Sequence, residues 1–158
     1  MAKGDIKAGK SSIIGAAGEY FVMAELLKRG WLAGLAPRGA RDFDIVATKG
    51  DTTIHVRVKA KTADSKLFRW NRLTDGKVFR APIRESDFCV LVDIGSAAPE
   101  YYVMPTRQLE KKLLEFFDEW LAAKPTRSAE NRVIAFDLGH VDHEQWLSRF
   151  KNDWTVLG

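Results

Sequence analysis

The sequence predicts an α/β fold, with a mixed central sheet flanked by helices. Three patterns carry that prediction. Apolar residues recur at helical spacing over residues 12–29 and again over 106–121. The segment from Thr52 to Thr62 alternates strictly between apolar and cationic residues. Short apolar runs at Phe88–Ile94 and Tyr101–Met104 have the length and composition of central strands. A chain of 158 residues, 46% of them apolar, is enough for one domain with a core that needs neither disulfide nor metal to hold it.

Residues 1–10 are small, polar and basic, and are expected to form a flexible arm ahead of a single domain over 11–158. Ser11 or Ser12 is a good helix N-cap, and Gly30 a good stop. Between them Ile13, Ala17, Tyr20, Phe21, Ala24 and Leu27 share one helical face, the expected core side. Asp44–Thr48 reads as a strand, Lys49–Gly50–Asp51 as a turn, and Thr52–Thr62 as the returning strand. Ile54, Val56, Val58 and Ala60 lie on one side of that strand; His55, Arg57, Lys59 and Lys61 lie on the other. Ala63–Glu85 shows no period and is expected to be a long, basic, irregular excursion. After the two central strands, Pro105–Thr106 opens a helix with Leu109, Leu113, Phe116, Phe117, Trp120 and Leu121 on its apolar face. Val133–Leu138 is a last strand. Asp142 with Gln145 resembles a capping box for a final helix carrying Trp146 and Phe150.

Composition excludes several classes. Lone Cys89, inside Phe88–Val92, is expected to be a buried thiol, and with no intrachain disulfide possible a reducing, cytoplasmic setting is expected. Lys3, Lys7 and Lys10 precede Ile13–Ile14 as in a signal peptide, but Glu19 interrupts the apolar stretch too early. No run approaches the roughly 20 apolar residues of a spanning helix. The net charge is +4, yet between His55 and Arg84 nine Lys and Arg residues face only two acids, Asp64 and Asp75. That excess, with Phe68, Trp70 and Phe79 interleaved, suits a polyanion surface or a solvated basic face. Three histidines give no credible zinc cluster.

Two acids stand out. Glu19 has Gly15, Ala16, Val22 and Met23 as its helical neighbours, so it is expected to be at least half buried and to need a cation or strong donors. Asp44 opens a strand whose partner presents Arg57 and Lys59 side by side, which would bring a carboxylate and a lysine together. That pairing suits either a divalent metal with a lysine that positions water, or plain cross-strand ion pairs.

The order Gly18–Glu19, Asp44, Val56–Arg57–Val58–Lys59 resembles the PD-(D/E)xK nuclease superfamily. Asp87–Asp93 and Pro99–Thr106 extend the likeness to small bacterial restriction-endonuclease-like proteins, over most of residues 12–121. The resemblance implies a restriction-endonuclease-like core, DNA as partner, and Mg²⁺ or Mn²⁺ held by Asp44 and Glu19 where the protein is active. It gives Lys59 the role of assisting the attacking water. The basic stretch itself supplies His55, Lys61, Lys66, Arg69 and Arg72 as the residues expected to grip nucleic acid. Arg57 stands where the superfamily has Glu, Asp or Gln. A fixed cation about 4 Å from a divalent ion is repelled by roughly 8 kcal/mol at an effective dielectric near 20. Three readings stay open: Arg57 turns outward to a phosphate, or it pairs with Asp44 or Glu19 and takes the metal's place, or the register slips so that Lys59–Ala60–Lys61 takes the motif's place. The chain is then a metal-dependent endonuclease or an inactive relative that binds DNA or a protein. A homodimer is compatible with either, with apolar surface left over on the 109–121 helix as its expected contact.

Overall fold

The computed structural model describes residues 10–37, 39–40 and 42–158. The expected arm, up to residue 9, lies outside the described residues. The first helix, α1 (Lys10–Lys28), stops as expected at Gly30, whose φ is 83°. The Gly30 N–H donates to Leu27 O and the Trp31 N–H to Leu26 O, both at 3.0 Å, so the last carbonyls of the helix are satisfied by a left-handed cap.

Strands β1 (Leu32–Leu35), β2 (Ile45–Lys49), β3 (Thr52–Lys61), β5 (Asp87–Asp93) and β6 (Glu100–Pro105) form one sheet in the order β1-β2-β3-β5-β6. The β3–β5 pair is parallel and the other pairs are antiparallel, which makes the sheet mixed, as the sequence predicts. The hairpin between β2 and β3 turns at Gly50, where φ is 57°. Ile54 and Val56 are buried on the α1 face with Ile45, Ala47, Val90, Val92 and Val103. The opposite face carries the cationic row of β3, and there helix α2 (Thr106–Ala122) buries Leu109, Leu113, Phe116 and Phe117 against Cys89, Leu91 and Met104. Cys89 is buried as expected. Among the described residues no helix is long and apolar enough to cross a membrane.

Three expectations are corrected. The face of α1 given to the core points outward: Ile13, Tyr20, Phe21 and Leu27 are exposed, while Gly18, Val22 and Leu26 are buried. Both faces of this helix are apolar, so periodicity alone chose between them wrongly. The basic excursion is not wholly irregular. Leu67–Asn71 forms β4 and pairs antiparallel with β7 (Val133–Asp137) in a second, two-stranded sheet, with Phe68 opposite Phe136. The capping box is absent: α3 (Val141–Ser148) has His140 as its N-cap, without a side-chain bond, and Asp142 lies inside the first turn, where its charge complements the helix dipole. A 3₁₀ turn, Trp154–Leu157, closes the chain and buries Trp154 against Tyr101.

Candidate active site

The site lies where β2 and β3 part. Their register begins at Ile45 opposite Val56, so β3 runs on past Val56 without a strand on that side. A strand edge left bare there would expose unpaired N–H groups. Asp44 closes the gap. Its N–H donates to Val56 O at 2.9 Å, its carbonyl accepts from the Ala36 N–H at 2.8 Å, and its carboxylate Oδ2 accepts from the Val58 N–H at 2.7 Å. The side chain thus continues the ladder in place of the missing strand.

Helix α1 passes over this point at very short range. A Cβ on Gly18 would sit 2.6 Å from the Ala60 Cβ and 3.4 Å from Val58 Cγ1, so only glycine permits the approach. The next residue, Glu19, is thereby brought near Asp44. Burial raises the Glu19 carboxyl above its ordinary pKa, and the negative charge of Asp44 raises it further. Asp44 is raised as well. Burial is the largest cause, opposed by the Val58 N–H bond and then by the charges of Arg57 and Lys59. Lys59 is shifted down by burial, against the pull of Asp44. Four groups named by the sequence therefore share one electrostatic neighbourhood: Glu19 from α1, Asp44 at the start of β2, and Arg57 and Lys59 from β3.

The cationic row of β3 is roofed by aromatic rings. The Arg57 guanidinium lies 4.7 Å from the centroid of Phe79, Lys59 Nζ 5.6 Å from that of Trp70, and Lys61 Nζ 5.7 Å from that of Phe68. Glu110 on α2 holds the roof at one end, accepting from the Val78 and Phe79 N–H groups at 2.8 and 3.2 Å. Arg57 lines an open groove of about 420 Å³ with Leu73, Val78, Phe79 and Arg80. Sequence reasoning missed Glu110, which is indistinguishable in the sequence from any acid on the solvent side of an amphipathic helix. Arg80 was visible only as one base among nine.

The remaining residues expected to grip nucleic acid divide. Lys66 and Arg69 are exposed. Lys61 is 7% exposed and its Nζ is paired with Asp93 Oδ2, so its charge is spent inside the protein. Arg72 is half-buried, with its guanidinium 4.3 Å from the Phe117 ring centroid and Nη2 donating to Ala129 O at 3.0 Å. His55 sits against Phe43, its Nδ1 3.5 Å from Asp87 Oδ1.

A hard divalent cation prefers oxygen donors, and Mg²⁺ is commonly held by only one or two carboxylates with water and substrate oxygens completing its shell. Glu19 and Asp44 fit that demand: two carboxylates whose protonation is favoured by burial, and by their mutual repulsion at Glu19, have the electrostatics a dication relieves. Among the described residues there is no group of three or more His, Cys, Asp or Glu side chains that could hold a metal. Any such ion would therefore lean on substrate and solvent.

No family model and no curated protein matches this chain. Solved structures do. A bacterial homing endonuclease aligns over 94% of this chain and 93% of its own, at 15% identity and a TM-score of 0.60. The Holliday junction resolvase Hjc of Archaeoglobus fulgidus aligns over 79% of this chain and 84% of its own, at 18% identity and a TM-score of 0.45. The mixed five-stranded sheet with its flanking helices is a restriction-endonuclease-like fold, similar over nearly its whole length to that of the homing endonuclease.

Proposed function

We propose that this chain is a nucleic-acid-acting nuclease-fold domain that hydrolyses phosphodiester bonds in DNA with the help of Mg²⁺ or Mn²⁺. The observation that carries this reading is the Asp44 carboxylate held at the β2–β3 fork by the Val58 N–H, with Lys59 on the next residue and Glu19 beside it. The fold shared with a homing endonuclease supports it. Asp44 and Glu19 are the residues that would hold the ion. When bound, the ion would polarise the phosphodiester and lower the pKa of the attacking water. Lys59, which burial shifts toward its neutral form, is suited to orient that water and take its proton. Arg57 and Arg80 at the groove are suited to hold a backbone phosphate, with Lys66 and Arg69 adding charge beyond it.

Of the three readings of Arg57, the first gains support. Its guanidinium lies over Phe79 and at the groove, and Lys61 is engaged with Asp93, which leaves Lys59 as the lysine beside Asp44. The second reading is an inactive relative that binds DNA or a protein partner through the basic face. The charge of Arg57 favours it, because it already acts on Asp44 where a dication would sit. Cleavage of supercoiled and linear DNA with Mg²⁺ or Mn²⁺, by wild type, Lys59→Ala and Arg57→Gln, separates them. Cutting by wild type that Lys59→Ala abolishes supports the nuclease. An inert wild type with an Arg57→Gln variant that binds Mn²⁺ or cuts supports the inactive binder, and silence from all three removes the enzyme reading.

A further inference from the structure

We propose that Glu110 is a positioning residue for the groove beside the candidate active site: it fixes the segment that carries Phe79 and Arg80, so that Arg80 and Arg57 close on one backbone phosphate. The proposal deepens the nucleic-acid reading above and rests on it, but not on cleavage. Helix α2 spends Leu109, Leu113, Phe116 and Phe117 inside the chain, rather than leaving them as the apolar surface expected for a homodimer contact. Near its start, Arg107 and Glu110 are three residues apart and therefore on one side of the helix. Both reach the segment between β4 and β5, whose residues 72–86 belong to no strand or helix. Arg107 Nη2 donates to Ile83 O at 3.3 Å, and Glu110 Oε1 accepts from the Val78 and Phe79 N–H groups at 2.8 and 3.2 Å.

The two arginines of the groove are held by different means. Arg57 sits on β3 with its backbone fixed by the parallel pairing to β5, where it lies opposite Cys89. Arg80 has no such ladder. It is exposed and follows Phe79, which is 7% exposed and whose ring lies 4.7 Å from the Arg57 guanidinium. Fixing the Phe79 amide therefore sets two things at once, the ring on which Arg57 rests and the point from which Arg80 projects. The turn just before it is closed by its own residues: the Leu73 N–H donates to Lys77 O at 2.7 Å, and Asp75 Oδ1 accepts from the Lys77 N–H at 3.0 Å. Its placement over β3 is left to the burial of Val78 and Phe79 and to the bonds with Glu110. Two consecutive N–H groups converging on one carboxylate oxygen make charge-assisted hydrogen bonds, stronger than neutral turn bonds. That strength has a use here. Arg57 and Arg80 line the same groove, and like charges there push the segment away from β3 unless an anion lies between them. Glu110 is not among the groove's lining residues, so it acts through Phe79 and Arg80 rather than on the phosphate.

Fluorescence anisotropy of a labelled duplex with the full chain, at several salt concentrations, tests this with Glu110→Leu, Glu110→Gln and Arg80→Ala. The first two remove the same negative charge, which by itself would tighten binding to a polyanion. Gln keeps an oxygen that accepts from Val78 and Phe79; Leu does not. Glu110→Leu is expected to weaken binding about tenfold and to lower the slope of log affinity against log salt by about one, while Glu110→Gln stays near wild type. Arg80→Ala is expected to lower the slope by about one in wild type and to add nothing in Glu110→Leu, because the contact it removes is already lost. Should Glu110→Leu fail to fold, Glu110→Asp carries the same expectation for the slope, since it keeps the charge but is one methylene too short to reach both N–H groups. Equal slopes for Glu110→Leu and Glu110→Gln, or an Arg80→Ala loss as large in Glu110→Leu as in wild type, overturn the proposal and leave Glu110 a structural acceptor. A wild type without salt-dependent affinity for DNA overturns the nucleic-acid reading, and the proposal with it.

Discussion

The Asp44 carboxylate accepts the Val58 N–H at 2.7 Å, so a side chain at the start of one strand completes the backbone ladder of the next. This hydrogen bond separates two roles of Asp44, structural acceptor and carrier of charge. Asp44→Asn keeps an oxygen that can accept from Val58 and removes the buried charge, so its stability in urea is expected to stay within about 1 kcal/mol of wild type. Asp44→Ala leaves the Val58 N–H unpaired and is expected to lose about 1–3 kcal/mol. Both are expected to abolish Mn²⁺ binding and metal-dependent cleavage. An Asn variant that still binds Mn²⁺ in calorimetry would remove Asp44 as a ligand.

How far the sequence reaches is visible in particular residues. The β2–β3 hairpin and α2 are legible because alternation and the 3.6-residue period are local properties. The core face of α1 is not, because Ile13, Tyr20 and Leu27 are as apolar as Val22 and Leu26. Strand β4 is also hidden: its partner β7 comes from the far end of the chain, and nothing local announces a long-range pairing. At the site, the order of Glu19, Asp44 and Lys59 can be read directly. The engagement of Lys61 cannot, since it follows from the parallel register that sets Lys61 opposite Asp93.

The closeness of α1 to β3 gives a paired glycine test. Gly18→Ala forces a methyl to within 2.6 Å of the Ala60 Cβ, so the helix must lift. A loss of about 1–3 kcal/mol is expected in chemical denaturation, with a larger proportional loss of cleavage because Glu19 moves with the helix. At Gly15, on the same helix, an added methyl would meet nothing within 4 Å, and Gly15→Ala is expected to gain up to about 1 kcal/mol from helix propensity alone. Equal responses at the two positions would show that the close approach does not matter.

His143 ties α3 to β7 and makes stability depend on pH. Its Nδ1 accepts the Asp137 N–H at 3.0 Å and its ring stacks on Phe116 at 3.9 Å between centroids, an arrangement only the unprotonated Nδ1 allows. Burial, followed by the neighbouring His140, lowers its pKa from the ordinary 6.5. The unfolded chain therefore binds the proton first as pH falls. The contribution is fully present above the unfolded value and is lost as pH drops through 6.5 and then through the lower folded value. Urea midpoints between pH 7.5 and 5 are expected to fall in wild type and to fall less in His143→Asn, which retains an acceptor but does not titrate. Parallel profiles would assign the slope to other groups.

The buried Lys61–Asp93 pair and the exposed bases of the excursion make opposite predictions, though all belong to one basic segment. Lys61→Met leaves the Asp93 carboxylate without its cation and is expected to cost about 3 kcal/mol or more. Adding Asp93→Asn is expected to return part of that loss, since the amide can still accept from the Gly95 N–H as Asp93 Oδ1 does at 2.9 Å. Neither variant is expected to change the salt dependence of DNA binding. Lys66→Ala and Arg69→Ala, at exposed positions, are expected to leave stability within about 0.5 kcal/mol and each to reduce the slope of log affinity against log salt by about one. Fluorescence anisotropy with a labelled duplex at several salt concentrations reads the slope. A Lys61→Met protein that is folded but has lost one unit of slope would place this lysine on the nucleic acid after all, and would mean that the β3 row opens when DNA binds.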